Sequence, residues 1–436
     1  VTLLGKVRAR RLQSALEGYA AQSASSGGDL DAAQLDALNR AWRESLAVSP
    51  WARSLRDRLS APDRFESWQE VAALVPAQRK ADLRATLVSA DGATRVQWRT
   101  TGGTTAEPIR FPVLESEPGV ALLDQWLGRQ RLGVAPHDPL FLLWGHAQMF
   151  GVGIRGVVAR TKRRLTDLAL GYTRWSAYRL SDADLALARR ALIRSRARYV
   201  IGYSSALDRL ARASLAHANE IHELGLKVVI ATAEGFPRPD SREVISRCFG
   251  CPVAMEYGSV ETGLLAYERL AGGYNVSWAH QRLELAPPDA AGRRELLVTS
   301  LYARALPLLR YAIGDWVEPF DATTDIRTEF RAVVGRSNDL VLTRSGLWVH
   351  SETFTHAVRD LPGLLRYQVV CAENGLAATI SYEAAAPLPE AALAEVRRRL
   401  ALIEPDLAEI PIVRVERLSQ SVAGKNPMVV RKGRAC

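Results

Sequence analysis

Four short apolar runs constrain this chain more than any other feature. They are Leu140-Phe-Leu-Leu-Trp, Tyr199-Val-Ile-Gly-Tyr, Leu226-Lys-Val-Val-Ile-Ala-Thr-Ala and Val253-Ala-Met-Glu-Tyr. Between them lie helix-patterned stretches at 181–197, 206–223 and 239–249. Apolar runs of this length fit strands buried on both faces, the habit of parallel sheets covered by crossover helices. The alternation predicts an α/β fold with layered sheets and parallel pairing.

The flanks differ. Residues 1–90 read as mainly helical, with Asp29 as an N-cap and Ser67 with Glu70 as a capping box. Residues 94–98 alternate like a strand, and extended structure resumes at Ile109. A helix is expected over 114–132 and a glycine-rich loop after Trp144. Beyond 280 the chain becomes strand-rich, with runs starting at Arg282, Glu295, Leu308 and Trp316. Gly335-Arg-Ser-Asn-Asp reads as a linker. Residues 340–436 then form a small α+β unit: a hairpin around Arg344, helices at 351–360 and 388–402, and strands at 366–371, 377–382 and 412–417.

With 436 residues the chain can bury more than one core, and 47% hydrophobic with 24% charged content is ordinary for a soluble protein. No segment reaches the roughly 18–20 apolar residues of a membrane span. The basic N-terminal stretch lacks a following apolar region, so no secretory signal and a cytoplasmic home are expected. Four cysteines make no disulfide framework, and Cys248 with Cys251 supplies at most half a zinc site, so core packing is the preferred reading of that pair. The net charge of +10 favours anionic partners such as phosphorylated cofactors or acidic carrier proteins, whereas no nucleic-acid module is recognisable. Lysine is scarce: there are six, at 6, 80, 162, 227, 425 and 432.

The stretch with the most chemistry in it is Arg99-Thr-Thr-Gly-Gly-Thr-Thr-Ala-Glu-Pro. Thr101, Thr104 and Thr105 offer hydroxyls, and Gly102 and Gly103 let the backbone N–H groups approach an anion closely. Polyphosphate is the natural guest, although a Gly/Thr-rich hairpin accounts for the same residues. The loop lacks the Gly-Lys-Ser/Thr ending of a P-loop.

Five further segments follow this loop in a familiar order: Ala231-Thr-Ala-Glu-Gly, Glu256-Tyr-Gly-Ser-Val-Glu-Thr-Gly, Leu308-Leu-Arg-Tyr-Ala-Ile-Gly-Asp, Gly335-Arg-Ser-Asn-Asp and Ser421-Val-Ala-Gly-Lys-Asn. In this set the chain resembles the adenylate-forming superfamily of acyl-CoA synthetases and adenylation domains. It looks most like the branch containing phenylacetate-CoA ligase and the CapK-type proteins. The resemblance runs from about residue 45 to 432. One departure is Ala106, which stands where glycine is usual.

The resemblance implies a large adenylating domain of layered mixed sheets and helices over 1–335, a hinge over 336–339, and a small mobile α+β domain over 340–436. It implies ATP, Mg²⁺ and CoA as ligands. The threonine loop would hold the β- and γ-phosphates. Ala233, Glu234, Glu256, Tyr257, Gly258 and Ser259 would surround the adenine and ribose, with the Tyr257 ring against the base. Asp315 would accept hydrogen bonds from the ribose diol, a bidentate use suited to a carboxylate. Arg336 would contact ribose or phosphate beside the hinge. Glu261 would hold Mg²⁺, since hard cations take carboxylate oxygen. Lys425 would bridge the substrate carboxylate and the nucleotide as a point charge. Relatives that carry a structural zinc place cysteine and histidine ligands after the Tyr-Gly segment; residues 266–276 contain neither, and no zinc is expected.

Trp144, His146, Met149 and Phe150 would line the acyl pocket, an apolar wall with one polar group, which suits an aryl or compact hydrophobic acid. Ordinary core packing explains the three apolar residues equally well. The arginine-rich helix near 181–197 reads as a solvated face, with docking of CoA phosphates or of a carrier protein as the second reading. The implied activity is an AMP-forming acid–CoA ligase. Transfer to a carrier-protein phosphopantetheine or to an amine is the alternative, and a binding module without chemistry is disfavoured because Glu261, Asp315, Arg336 and Lys425 are all present.

Overall fold

A computed structural model describes residues 10, 12–17, 29–88, 95–100, 109–144, 154–177, 182–233, 235–236, 240–288, 294–321, 326–336, 340–345, 348–350, 354, 357–358, 361, 363–372, 374–401, 404–418 and 429–431. The helical N-terminal flank comprises α1 (Leu30–Val48), α2 (Pro50–Leu59), α3 (Trp68–Leu74) and α4 (Lys80–Val88). The caps are those read from the sequence. Asp29 accepts from the Asp31 N–H at 3.0 Å, and Ser67 accepts from the Glu70 N–H at 3.1 Å. Glu70 reaches back to the Glu66 N–H rather than to that of Ser67. Trp42, Leu38, Leu55, Phe65 and Val71 bury the inner face of this flank against Leu301 and Leu309.

A short hairpin, β1 (Gln97–Thr100) with β2 (Arg110–Val113), brackets the threonine loop, and α5 (Glu117–Arg131) follows. The main sheet then begins with β3 (Leu140–Trp144), α6 (Ile154–Leu170), β4 (Tyr172–Ser176), α7 (Asp182–Ser195), β5 (Tyr199–Tyr203), α8 (Ser204–Ser214), α9 (Ala218–His222), β6 (Val228–Thr232), α10 (Ser241–Phe249) and β7 (Val253–Ser259). Strands β4, β3, β5, β6 and β7 lie side by side in that order, all parallel. β8 (Gly263–Glu268), β9 (Tyr274–Val276) and, later in the chain, β13 (Glu329–Phe330) extend the sheet antiparallel to eight strands.

The period of two along each strand sends alternate side chains to opposite cores. Phe141, Leu143, Val200, Val229 and Ala231 meet Leu185, Leu192, Leu207, Leu210 and Ile245 from the helices on one face. Leu140, Tyr199, Ile201, Val228 and Ile230 meet Trp126 and Leu132 on the other. Both faces are therefore covered, as the uniform apolar runs require. Cys248 and Cys251 sit in the first of these cores, where burial pushes their thiols up to about 11 and about 12. They are protonated core groups at neutral pH.

A second sheet is antiparallel: β10 (Gln281–Leu285), β11 (Glu295–Ser300), β12 (Tyr311–Glu318) and β14 (Ala332–Arg336). It shares a core with the first through Leu265, Val276 and Phe330 against Leu283, Leu296, Val298 and Val317. Here the structure departs from the sequence reading. The runs at Leu308 and Trp316 belong to one strand, which starts only at Tyr311 because Arg310 adopts a left-handed φ of 47°. Gly335 and Arg336 end β14 instead of lying in a linker. Helix α6 and strand β4 were not predicted at all.

The last segment contains the β15 (Leu340–Leu342) and β16 (Trp348–His350) hairpin, then β17 (Leu364–Cys371), β18 (Ala377–Ala384), α11 (Glu390–Ala401), β19 (Ile412–Arg414) and β20 (Val429–Arg431). The final four strands order as β19-β18-β17-β20. Their core draws on Val341, Phe354, Val369, Ile380, Val396, Leu400 and Leu407. Among the described residues no helix is long and apolar enough to cross a membrane.

Candidate active site

The parallel strands end along one edge, and most of the described candidate residues gather there. Register places Trp144 beside Ser176, and Leu143 beside Gly202, so Trp144 borders Tyr203. Tyr203 pairs with Thr232, and Thr232 with Glu256. The carboxyl edge of an open parallel sheet is where α/β proteins bind ligands, because chain reversals leave a crevice there. Ala233, the next residue after β6, is exposed and holds a left-handed φ of 72°. Backbone strain of this kind in a non-glycine residue costs about 1–3 kcal/mol and concentrates at functional sites.

At the end of β7 the backbone enters a tight hairpin with β8. A Cβ on Gly258 would lie 2.3 Å from the Gly263 carbonyl oxygen, and Gly263 itself takes a φ of 72°. The two glycines of this motif are thus required by close backbone approach and by the turn. The hydroxyls close it: the Ser259 N–H donates to Thr262 Oγ1 at 3.2 Å, and the Thr262 N–H to Ser259 Oγ at 3.1 Å. Ser259 is therefore a turn-forming residue first. Gly258→Ala should cost about 1–3 kcal/mol of stability by overpacking, read as a lower urea midpoint with unchanged slope; a wild-type midpoint would contradict the contact.

Successive residues of β7 face opposite ways, which separates Glu256 from Tyr257. Glu256 accepts from the Tyr267 hydroxyl and lies 3.9 Å from the Arg129 guanidinium. Burial, then the Glu256 charge, hold the Tyr267 phenol well above its ordinary pKa, so it stays the donor. Tyr257 points to the other side. Its hydroxyl donates to Asp315 Oδ2 at 2.8 Å, and its ring meets Tyr274 and Phe330 edge-on at 6.4 and 6.2 Å between centroids. The hydrogen bond joins two residues 58 positions apart that the sequence reading assigned to the same nucleotide.

Asp315 lies where β11 and β12 slip register between Glu295 and Leu297, with Gly314 at a φ of 89° beside it. A bulge of this type re-aims a side chain. On its other edge Asp315 pairs in register with Arg336, the last residue of β14. The backbone thus brings the predicted ribose carboxylate and the predicted hinge arginine side by side.

Glu261, at the hairpin tip, is 9% exposed. Its Oε1 lies 3.2 Å from Lys80 Nζ at the start of α4. Its carbonyl accepts from Arg304 at 2.5 Å. Arg304 in turn lies 3.2 Å from Glu117, and the two side chains are only 4% and 6% exposed. Glu117 also accepts from the N–H groups of Leu114 and Ala305 at 2.8 and 3.0 Å. Nearby, His280 contacts Asp124 at 3.0 Å, and Gln281 donates to the Thr262 carbonyl at 3.2 Å. Sequence reading missed this buried polar support. Lys80, Glu117 and Arg304 sit in no motif, and only the fold brings them to Glu261. Arg304→Met strands the Glu117 carboxylate in the interior, and a loss of about 3–5 kcal/mol is expected on urea unfolding; a loss below about 1 kcal/mol would contradict the pairing.

Trp144 packs against Tyr203 with ring centroids 4.5 Å apart and the planes tilted by 44°. Tyr203 was not among the predicted pocket residues. Thr101, Gly102, Gly103, Thr104, Thr105, His146, Met149, Phe150, Glu234 and Lys425 lie outside the described residues. Among the described residues there is no group of three or more His, Cys, Asp or Glu placed to hold a metal.

A half-parallel α/β sheet, with Asp315 at a bulge and a glycine hairpin at its carboxyl edge, is the fold found in solved adenylate-forming ligases. A 2-hydroxyisobutyryl-CoA ligase, solved in the postadenylation state with 2-HIB-AMP, aligns at a TM-score of 0.58 with 17% identity, covering 92% of this chain and 90% of that one. The same ligase in an open conformation with 2-HIB-AMP and CoA aligns at 0.53 with 16% identity, over 92% and 91% of the two chains. In sequence, the Staphylococcus aureus protein CapK is 28% identical over 169 residues, 36% of this chain and 35% of CapK. The match thus spans about a third of that relative's length. No family model matches the chain.

Proposed function

We propose that this protein activates a carboxylic acid with ATP, releasing pyrophosphate to form an acyl-adenylate, and then transfers the acyl group to CoA. The observation that carries this reading is the Tyr257–Asp315 hydrogen bond, 2.8 Å long, beside the Asp315–Arg336 register. It brings three separately recognised motif positions to one place. The fold shared with ligases described in complex with an acyl-AMP supports it.

Two anions must meet for the reaction to occur, so the barrier is chiefly electrostatic. Asp315 accepts from the ribose diol. Tyr257, fixed through its hydroxyl and its aromatic neighbours, presents part of the base-binding surface. Backbone at Ala233, Gly258 and Ser259, with Glu234, completes that surface. Glu256 acts from behind, locking β7 to β8 through Tyr267. The Thr101–Thr105 loop holds the leaving pyrophosphate, and Lys425 neutralises the attacking carboxylate. Trp144, His146, Met149 and Phe150 would line the acyl pocket, and that mix of apolar surface with one polar group suits a compact hydrophobic or aryl acid. On this reading the enzyme is phenylacetate-CoA ligase-like and acts in the cytoplasm.

Glu261 fits a magnesium site of the kind nucleotides bring with them, in which one or two carboxylates suffice and the phosphates supply other ligands. It already faces a cation, the Lys80 ammonium. When bound, Mg²⁺ would neutralise charge developing on the phosphates. Residues 1–335, with Arg336 held in β14, would form the adenylating body and 340–436 a mobile lid, turning about 337–339. The separate core gathered from Val341 onward supports that division.

The acceptor is tested by supplying ATP and an acid panel, then CoA, phosphopantetheinylated carrier protein or an amine in turn. A CoA thioester formed faster than the other products is expected. Exclusive amide or carrier-thioester formation would replace CoA with that acceptor.

A further inference from the structure

Lys80 is one of six lysines in the chain, and its ammonium lies 3.2 Å from the carboxylate expected to bind the divalent cation. Its side chain is 28% exposed and that of Glu261 11%, so the pair is shielded but reachable from solvent. The surroundings hold the carboxylate in place independently. Arg304 grips the Glu261 carbonyl, and the Ser259–Thr262 hydroxyls fix the turn. Glu261 therefore does not need Lys80 to define the backbone position of its side chain. What Lys80 supplies is a positive charge where an uncompensated buried carboxylate would be costly. It stands on a helix from the N-terminal flank, whereas Glu261 stands on the main sheet.

We propose that Lys80 is a built-in competitor for the cation at Glu261: it occupies the carboxylate in the nucleotide-free protein and must yield when the metal–nucleotide binds. This rests on the assignment of Glu261 to the metal. The arrangement has two consequences. The empty site keeps its negative charge neutralised, and cation affinity is lowered by the energy of the ion pair. Free divalent cation then binds poorly without nucleotide, which biases the site towards the metal–nucleotide complex.

The test is Mn²⁺ binding by electron paramagnetic resonance to the nucleotide-free full chain, repeated with α,β-methylene-ATP kept below the protein concentration so that no excess nucleotide chelates the metal; its bridging carbon blocks cleavage of the reacting bond. Lys80→Met is expected to tighten Mn²⁺ binding about fivefold, the scale of a partly shielded ion pair. Lys80→Arg retains the charge and is expected to bind as wild type does. Arg79→Met removes a neighbouring charge that pairs with Glu295 at 2.6 Å instead, and should leave Mn²⁺ affinity unaltered. Circular dichroism melts verify that each variant is folded, and Lys80→Arg carries the test should Lys80→Met be unstable, since a shifted affinity there overturns the proposal. Unchanged affinity in Lys80→Met, or equal shifts in Lys80→Met and Arg79→Met, overturns it too. Glu261→Gln separates the two levels. If it weakens Mn²⁺ binding while Lys80→Met does not alter it, the competitor role fails and the metal assignment stands. If Glu261→Gln leaves Mn²⁺ affinity unchanged, the metal assignment itself fails.

Discussion

Asp315→Ala is expected to lower ATP affinity about a hundredfold or more. A carboxylate that accepts two ribose hydroxyls makes two hydrogen bonds to a charged acceptor, each worth roughly 1.5–3 kcal/mol. The side chain is 7% exposed, so water does not readily replace it. Its position is fixed from three sides: the Gly314 bulge, the Tyr257 hydroxyl and the β14 pairing. The substitution therefore removes a preorganised acceptor rather than a flexible one. Titration calorimetry with ATP checks this. An affinity within about threefold of wild type would remove Asp315 from the nucleotide site.

Lys425→Ala is expected to separate binding from chemistry. A charge that meets the substrate carboxylate only as it attacks contributes to the transition state and little to the ground state. Removing one such electrostatic group typically costs about 10²–10³ in rate. Carboxylate-dependent exchange should fall by that factor, with ATP affinity held within about threefold. Lys425→Arg should not rescue it, since the planar guanidinium is bulkier and differently directed than an ammonium. Full activity in the alanine variant would remove Lys425 from catalysis.

The parallel half of the fold was legible because burial on both faces leaves an unmistakable trace, the run of apolar residues from Leu140 or Val228. The helical caps at Asp29 and Ser67 were legible for the same local reason: hydroxyl or carboxylate chemistry against free N–H groups. The antiparallel half was harder. A left-handed Arg310 and a bulge at Gly314 and Asp315 depend on tertiary packing, so two strands were read where β12 is one. Arg336 was read as linker because glycine, serine and asparagine surround it, yet its backbone completes a sheet edge opposite Asp315.

The site divides in the same way. Tyr257, Glu261 and Asp315 could be proposed from the sequence because each belongs to a short local motif. Lys80, Glu117, Arg304 and Tyr203 carry no local signal, and they matter only because distant elements meet at the hairpin tip and the sheet edge. Glu256 shows the converse. Adjacent to Tyr257 in a motif, it faces the opposite side of the sheet and binds Tyr267 and Arg129, a distinction that the period of two along β7 makes visible once the strand is known.

The central claim is that this chain makes an acyl-adenylate, and pyrophosphate exchange tests it most directly. Wild-type protein is incubated with ATP, magnesium, labelled pyrophosphate and a panel of aromatic, aliphatic and amino acids. Label is predicted to enter ATP only when a carboxylic acid is present, most rapidly with a compact hydrophobic or aryl acid. Protein that binds ATP yet shows no carboxylate-dependent exchange with any acid in the panel would contradict the account.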